Sequence, residues 1–395
     1  MTKPSFRRRA RVAVALFGLA SSAGVARAEE AAPFRFEVRG YAELDYVQAF
    51  QGVDPNWVAA LRPSRIATDP ATYGSEPEAT LSVRQSRLGA YADIPAAGDP
   101  VHTALEFDFF GVGKDEGQTT IRLRHAYGEW RSLLAGQTNS VFMDGDIFPN
   151  MIEYWGPAGM VLYRQPQLRF SPIRGASTLA FALERPGTVI DAGSLPGTFE
   201  SRSPLPDLTA HYRFTLPAGH VQLAGIVRDL AYRSTGASEE RQGNVLGWGF
   251  HASSVGTVPL GKVSSVTFRL SAVYGHGIAN YMNDGGVDIA PTAGGGFEAE
   301  PLLGTVGFVD LALGRRFGTS LGYSFTQVQN SSGQAPSAFH RGDYASATLT
   351  CTPRSDVLTG VSYTWGQRTN FDGDSGIDQR AQLTVKYAFS STLWR

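Results

Sequence analysis

The chain has 395 residues, with 35 basic and 36 acidic side chains, 42% hydrophobic residues and one cysteine. A single cysteine, Cys351, excludes an intrachain disulfide. Beyond the N-terminal segment no apolar run reaches about eighteen residues, which excludes a transmembrane helix.

The first residues read as a secretory signal peptide. Arg7, Arg8, Arg9 and Arg11 form a basic start, Val12 to Ala23 is a short apolar stretch, and Ala26, Arg27 and Ala28 form an A-x-A cleavage site. Residues 1–28 are therefore the expected signal peptide, too short in its apolar part for an anchor helix. Residues 29–395 form a single expected domain. The remainder of the twin-arginine motif is missing, and no cysteine follows the cleavage site, so no lipoprotein is expected. Without residues 1–28 the chain keeps 29 basic and 36 acidic side chains, and the formal charge moves from −1 to −7. That balance argues against nucleic acid as a partner.

From Phe34 onward apolar and polar residues alternate. In the first run Phe34, Phe36, Val38, Ala42, Leu44 and Tyr46 share one face, while Arg35, Glu37, Arg39, Glu43 and Asp45 share the other. Period two means a β-strand. About sixteen such runs follow one another: 34–46, 79–92, 102–110, 119–130, 132–142, 164–170, 178–185, 207–215, 220–230, 245–254, 265–276, 304–314, 317–328, 343–352, 356–368 and 378–389. The joins alternate between short turns, such as Arg315-Arg316 and Pro353-Arg354-Ser355, and long loops, such as 47–78, 143–163 and 277–303. Strands with one apolar face, long loops at one rim and tight turns at the other predict a closed antiparallel transmembrane β-barrel. An open sheet edge is not viable in lipid, so the first run is expected to pair with the last. Tyr46, Trp130, Tyr163, Trp248, Tyr274, Tyr323, Trp365 and Tyr387 are candidates for the aromatic girdles.

Charges fall on the inward parity. Glu106 and Asp108 share one face of their strand, and Arg122 and Arg124 one face of the next. Pairing Glu106 with Arg124 and Asp108 with Arg122 sets opposite charges about 5 Å apart. Arg39, Arg169, Arg213, Arg269, Arg368, Arg380 and Lys386 take the same parity elsewhere. A solvated wall explains them, and so does a basic ladder that attracts anions, since the planar guanidinium fork suits carboxylates. Small inward residues such as Gly247, Gly249, Ser320, Gly322 and Ser324 are expected to leave room inside.

Enzyme signals are weak. Gly318 to Gly322 matches G-x-S-x-G but opens a strand, whereas a nucleophile elbow needs a strand-to-helix turn. Asp372, Asp374 and Asp378 lack the terminal acidic ligand of a calcium loop. The histidines lack metal-ligand spacing, and phosphate- or dinucleotide-binding glycine motifs are missing. No enzyme activity, cofactor or metal is expected.

Arg84-Gln85-Ser86-Arg87-Leu88-Gly89, Ile121 to Gly128, Ala135-Gly136-Gln137-Thr138, Phe142-Met143-Asp144, Gly156-Pro157 and Arg164 to Phe170 together resemble the DcaP-like outer-membrane porins. That resemblance implies a trimeric sixteen-stranded barrel in the outer membrane of a Gram-negative bacterium, associated with uptake of dicarboxylates and related anions. It implies that 143–163, with Asp144, Asp146 and Glu153, folds into the lumen as a constriction loop. It further implies that Arg84, Arg87, Arg122, Arg124, Arg164 and Arg169 line the pore, with Glu106 and Asp108 beside them. Strict alternation, however, places Arg84 and Arg87 on opposite faces. Two departures from the family pattern stand out: only five residues separate the cleavage site from Phe34, leaving no coiled-coil extension, and the chain ends in Arg395 rather than on an aromatic.

The expected function is passive diffusion of small hydrophilic solutes, favouring anions such as dicarboxylates. The expected partners are those solutes, outer-membrane lipid and lipopolysaccharide, and two further copies of the chain. The competing readings are a structural or adhesive barrel and a barrel hydrolase. The first would need a plugged lumen, the second a Ser/His pair that the sequence does not place. A sugar channel would want an aromatic slide inside, whereas the inward strand positions carry arginine and glutamine.

Overall fold

The computed structural model describes residues 33–96, 98–111, 120–193, 195, 197–235 and 241–394. The expected signal peptide, most of the join 111–118 and part of the join 231–244 lie outside the described residues. In chain order the strands are β1 (Arg35–Ala49), β2 (Glu78–Ser82), β3 (Arg87–Ile94), β4 (Val101–Asp108), β5 (Arg122–Trp130), β6 (Leu133–Asn139) and β7 (Arg164–Ile173). There follow β8 (Thr178–Glu184), β9 (Thr198–Arg202), β10 (Asp207–Leu216), β11 (Gly219–Thr235), β12 (Gln242–Leu260), β13 (Ser264–His276) and the small hairpin β14 (Ile289–Pro291) and β15 (Phe297–Ala299). The last are β16 (Pro301–Leu313), β17 (Phe317–Val328), β18 (Phe339–Arg354), β19 (Val357–Asn370) and β20 (Ser375–Trp394).

Alternating side chains make these runs strands, and closure makes them a barrel. β1 pairs with β20 from Arg35↔Trp394 to Ala49↔Arg380, so the first and last strands meet without a free edge. Sixteen antiparallel wall positions complete the circle. Each of the sixteen runs read from the sequence coincides with one of them. β2 and β3 occupy a single position: both pair with β1, and the chain breaks at a turn between them, with the Ser86 N–H donating to the Val83 carbonyl. β9, β14 and β15 are additional strands within long joins, which the alternation did not reveal.

The outer surface carries Leu44, Leu105, Leu168, Phe181, Leu223, Phe250, Leu270, Leu321, Leu349 and Leu383, all exposed. Their inward neighbours Asp45, Asp108, Gln167, Gln222, Ser320, Thr348 and Gln382 are buried. A one-residue slip would exchange these two sets and place charge in lipid, at roughly 2–4 kcal/mol per basic group at the midplane, so the register is strongly fixed. Tyr46, Trp130, Tyr274, Tyr323 and Tyr387 are exposed, as girdle positions require. Tyr163 is not on that surface. It packs inside against Tyr281, ring centroids 5.3 Å apart, because the loop has not yet rejoined the wall there.

The inner surface is not uniformly polar. Ala224, Ile226, Val273, Leu302, Val306, Phe308 and Tyr344 point inward from β11, β13, β16 and β18 and are buried. They form one apolar core with Leu61 from the join 50–77, Phe142, Ile147, Met160 and Val161 from 140–163, and Tyr281 and Met282 from 277–300. Three loops therefore fold into the barrel and fill this half of it. The small inward residues seat those loops instead of leaving open space. A side chain added at Gly249 would meet Ile278 and Phe142, and Ser324 Oγ accepts a 2.8 Å bond from the Gly159 N–H. The loops can enter because the wall beneath them is short. β6 has 7 residues and β8 has 7, against 19 in β12, so the chain leaves the wall well below the rim.

Candidate functional site: a constricted, arginine-lined lumen

The loop 140–163 is fastened along its length. Ser140 Oγ and the Val141 N–H both donate to Glu184 Oε1, at 3.0 and 2.8 Å. Asp144 is fully buried and accepts from Arg213 Nη2 at 2.7 Å, His220 Nε2 at 2.8 Å and Ser253 Oγ at 2.7 Å. Burial opposes ionisation of Asp144, but Ser253, Arg213 and His220 outweigh it and hold the carboxyl below the usual range. Asp146 is exposed and binds the other arm of Arg213 at 2.7 Å. Asp144, Asp146 and His220 lie close enough to hold a metal ion, yet the Arg213 guanidinium already takes the cation's place between the two carboxylates.

Farther along, Glu153 accepts from the Leu61 N–H at 3.1 Å, the Gly156 N–H at 2.7 Å and the Tyr344 hydroxyl at 3.0 Å. It ties two infolded loops to β18. Gly159 lies so close to the wall that a Cβ there would sit 2.1 Å from the Phe325 carbonyl oxygen and 2.5 Å from that of Thr305. Only glycine permits that approach.

With one half of the barrel filled, the open space lies against β1, β3, β5, β7 and β20. A cavity of about 690 Å³ is bounded on the wall side by Arg87, Arg122, Arg124, Arg164 and Lys386. Met143, Phe148, Met151, Tyr154, Trp155, Leu162 and Met282 bound it on the loop side. Asp108 is fully buried and binds Arg122 at 2.9 Å and Arg124 at 2.8 Å. Glu106 binds Arg124 at 2.8 Å and Arg87 at 3.5 Å.

The β4–β5 register explains this crowding. Asp108 faces Arg122, but Glu106 faces His125, because Arg124 is the extra residue of a β-bulge. The expected Asp108–Arg122 pairing is present. Glu106 and Arg124 are not register partners, although their side chains still meet. The bulge turns the consecutive residues Arg124 and His125 into the lumen together, which strict alternation forbids.

The family model described as DcaP outer membrane protein matches residues 44–389. The chain belongs to the DcaP outer membrane protein family. It is thus an outer-membrane β-barrel of a Gram-negative bacterium. Its fold is similar to that of the outer membrane channel DcaP of Acinetobacter baumannii, with TM-score 0.73 and 23% identity over 90% of this chain and 97% of that one. It is also similar to the anion-selective porin from Comamonas acidovorans, with TM-score 0.55 and 10% identity over 91% and 100% of the two chains. OmpT of Vibrio cholerae in its trimer form gives TM-score 0.52 and 10% identity over 90% and 99%. No curated protein matches the chain.

In this DcaP-family barrel the residues singled out from the sequence separate into two groups. Arg87, Arg122, Arg124 and Arg164 border the cavity, with Glu106 and Asp108 paired to three of them. The break between β2 and β3 resets the alternation, yet Arg84 and Arg87 have different surroundings. Arg84 lies 4.6 Å over the Phe110 ring, donates to the Gly111 carbonyl and does not border the cavity. Arg169 also lies apart from it. Arg169 borders a second space of about 570 Å³ beyond Met143 and Gly145, and it donates to Asn139 O and Gln167 Oε1. Asp144 and Glu153 anchor the loop, whereas Asp146 borders the second space.

Several inward arginines hold loops rather than water. Arg380 donates to the Trp57 and Val58 carbonyls, and Arg368 to those of Ser64 and Ser337. Arg269 binds Asp310 at 2.6 Å. The sequence reading missed Arg228, fully buried between Asp207 at 3.0 Å and Asp288 at 2.8 Å, and Arg62, bound to Asp284 at 2.9 Å. It also missed the aromatic lining. Tyr154, Trp155 and Phe148 reach the lumen from a loop, where strand parity carries no information. The run Asn283-Asp284-Gly285-Gly286-Val287-Asp288 was the available signal for loop anchoring: two acidic residues in a stretch too rich in glycine to be strand.

Proposed function

We propose that this barrel is a passive diffusion channel for small hydrophilic solutes that favours anions, dicarboxylates among them. The carrying observation is the asymmetric cavity: the barrel wall presents Arg87, Arg122, Arg124, Arg164 and Lys386, and the loop side sets Phe148, Tyr154, Trp155 and three methionines beside Arg62. Fixed cations in a narrow, low-dielectric passage lower the barrier for carboxylates and raise it for cations. Glu106 and Asp108 offset part of that charge, so the preference is moderate. The apolar side can carry a solute's hydrocarbon part. Transfer down a gradient requires no covalent chemistry. The test is the reversal potential of the purified protein in a planar bilayer under asymmetric KCl. Anion preference supports the reading, and cation preference or absence of conductance overturns it.

We also propose a homotrimer set in lipid, with its loops toward lipopolysaccharide. The outward positions on β3, β5 and β6 include Ala90, Ala92, Ala126, Gly128 and Ala135 in register across β4, whereas β11 to β20 present mainly Leu, Phe and Val. Small residues let neighbouring walls approach closely. The strands there have 7 to 9 residues, short for the roughly 9–11 that span hydrocarbon, so a neighbouring copy completes the cover. Native mass measurement in detergent showing monomer alone would count against it.

A further inference from the structure

Six cations border the cavity: Arg62, Arg87, Arg122, Arg124, Arg164 and Lys386. Five of them already hold carboxylates. Arg62 binds Asp284 at 2.9 Å, Lys386 binds Glu43 at 3.0 Å, and Arg87, Arg122 and Arg124 share Glu106 and Asp108. Asp108 has no capacity left, since it also accepts from the Tyr154 hydroxyl at 2.7 Å and the Phe110 N–H at 3.1 Å. Among the described residues, no ion pair or side-chain hydrogen bond engages the Arg164 guanidinium. Its charged neighbours Arg122, Arg124 and Arg87 reinforce its positive field, and Asp108 opposes it.

We infer that Arg164 is the specificity-determining residue, the guanidinium that binds the permeating carboxylate directly, while Arg122 and Arg124 shape the wall through their own ion pairs. This rests on the anion-channel reading above. The half-buried Arg164 side chain faces the cavity, so its donors are free for a group that enters from the lumen. The planar fork accepts a carboxylate through two parallel N–H···O bonds. Position favours the role as well. Arg164 opens β7, where the constriction loop rejoins the wall, opposite Asn139 in the register. Asn139 borders both this cavity and the second space that holds Arg169. A carboxylate held at Arg164 therefore stands at the threshold between the two spaces, with a further guanidinium beyond it.

The experiment compares Arg164→Gln, Arg164→Lys and Arg122→Gln in the purified full chain in planar bilayers, each first shown to form a folded barrel by its heat-modifiable mobility in gels. Succinate is the probe, and its half-blocking concentration for the chloride current is read beside the reversal potential. Losing a charge-assisted bond should raise the half-blocking concentration about tenfold or more in Arg164→Gln. Arg164→Lys should keep the reversal potential yet weaken the block, because the charge remains and the fork is lost. Arg122→Gln should weaken the block less than Arg164→Gln. Equal or greater weakening in Arg122→Gln, or an unchanged block in Arg164→Gln, overturns the assignment and leaves the channel reading intact. A wild-type channel with neither block nor anion preference overturns the channel reading, and this assignment with it.

Discussion

The Glu153 carboxylate meets the Tyr344 hydroxyl 3.0 Å away, and both groups are buried. This bond joins the constriction loop to the filled side of the barrel, so the width of the passage is set from across the lumen. Removing the hydroxyl in Tyr344→Phe should cost about 1 kcal/mol of loop anchoring. Removing the carboxylate in Glu153→Ala leaves the Leu61 and Gly156 N–H groups and the hydroxyl without an acceptor, and should cost about 3 kcal/mol or more. Single-channel recordings should show larger, noisier openings in that order. Equal, quiet openings in both variants would mean that the loop is held elsewhere.

A second anchor is Asp144. Its folded carboxyl lies below the ordinary value of 3.8, so the stabilisation is present above that value and is lost as pH falls through the folded one. The constriction should stay quiet from about pH 7 down to about pH 4. Asp144→Asn should show at neutral pH the noise that wild type shows only in stronger acid. A quiet Asp144→Asn channel would remove the anchor from the account.

Glu300 responds in the opposite sense. It lies just before β16 and is buried. Burial pushes its carboxyl up to about 8, with Asp191, Glu298 and Asp288 adding repulsion. Its contribution is fully present below the ordinary value of 4.5 and is lost as pH rises toward about 8. Gating events involving 277–300 should therefore become more frequent from about pH 5 to about pH 8 and then level off. Glu300→Gln should flatten that rise, and an unchanged rise in the variant would point to another group.

Replacing Arg122 and Arg124 together with Ala removes two cations and leaves Arg87, 3.5 Å from Glu106, as the arginine still paired to this acidic couple among the described residues. The reversal potential should shift toward cation passage and dicarboxylate flux should slow. Flux of a neutral sugar of similar size should stay the same or rise. If ion preference persisted and both fluxes fell equally, the pair would be structural and the selectivity claim would be lost.

Alternation along Phe34–Tyr46 and its fifteen successors determined the sixteen wall strands, the lipid face and the pairing of β1 with β20. Period-two patterning records local burial on the two sides of a sheet, and in lipid the only closed solution is a barrel. The same logic placed Asp108 against Arg122. Only the tertiary structure decided where the lumen lies. Ile226, Val306 and Phe308 stand in the sequence as apolar residues at inward parity, but nothing local says that loops 220 or more residues apart in sequence, such as those of Leu61 and Tyr281, come to cover them. The bulge at Arg124 and the break before Arg87 likewise arise from pairing between strands, and they settle which arginines share a cavity. Whether an inward guanidinium meets a carboxylate, a loop carbonyl or open space depends on that long-range packing. The sequence shows Arg84, Arg164, Arg169 and Arg380 as one class of residue, and the fold gives each different surroundings.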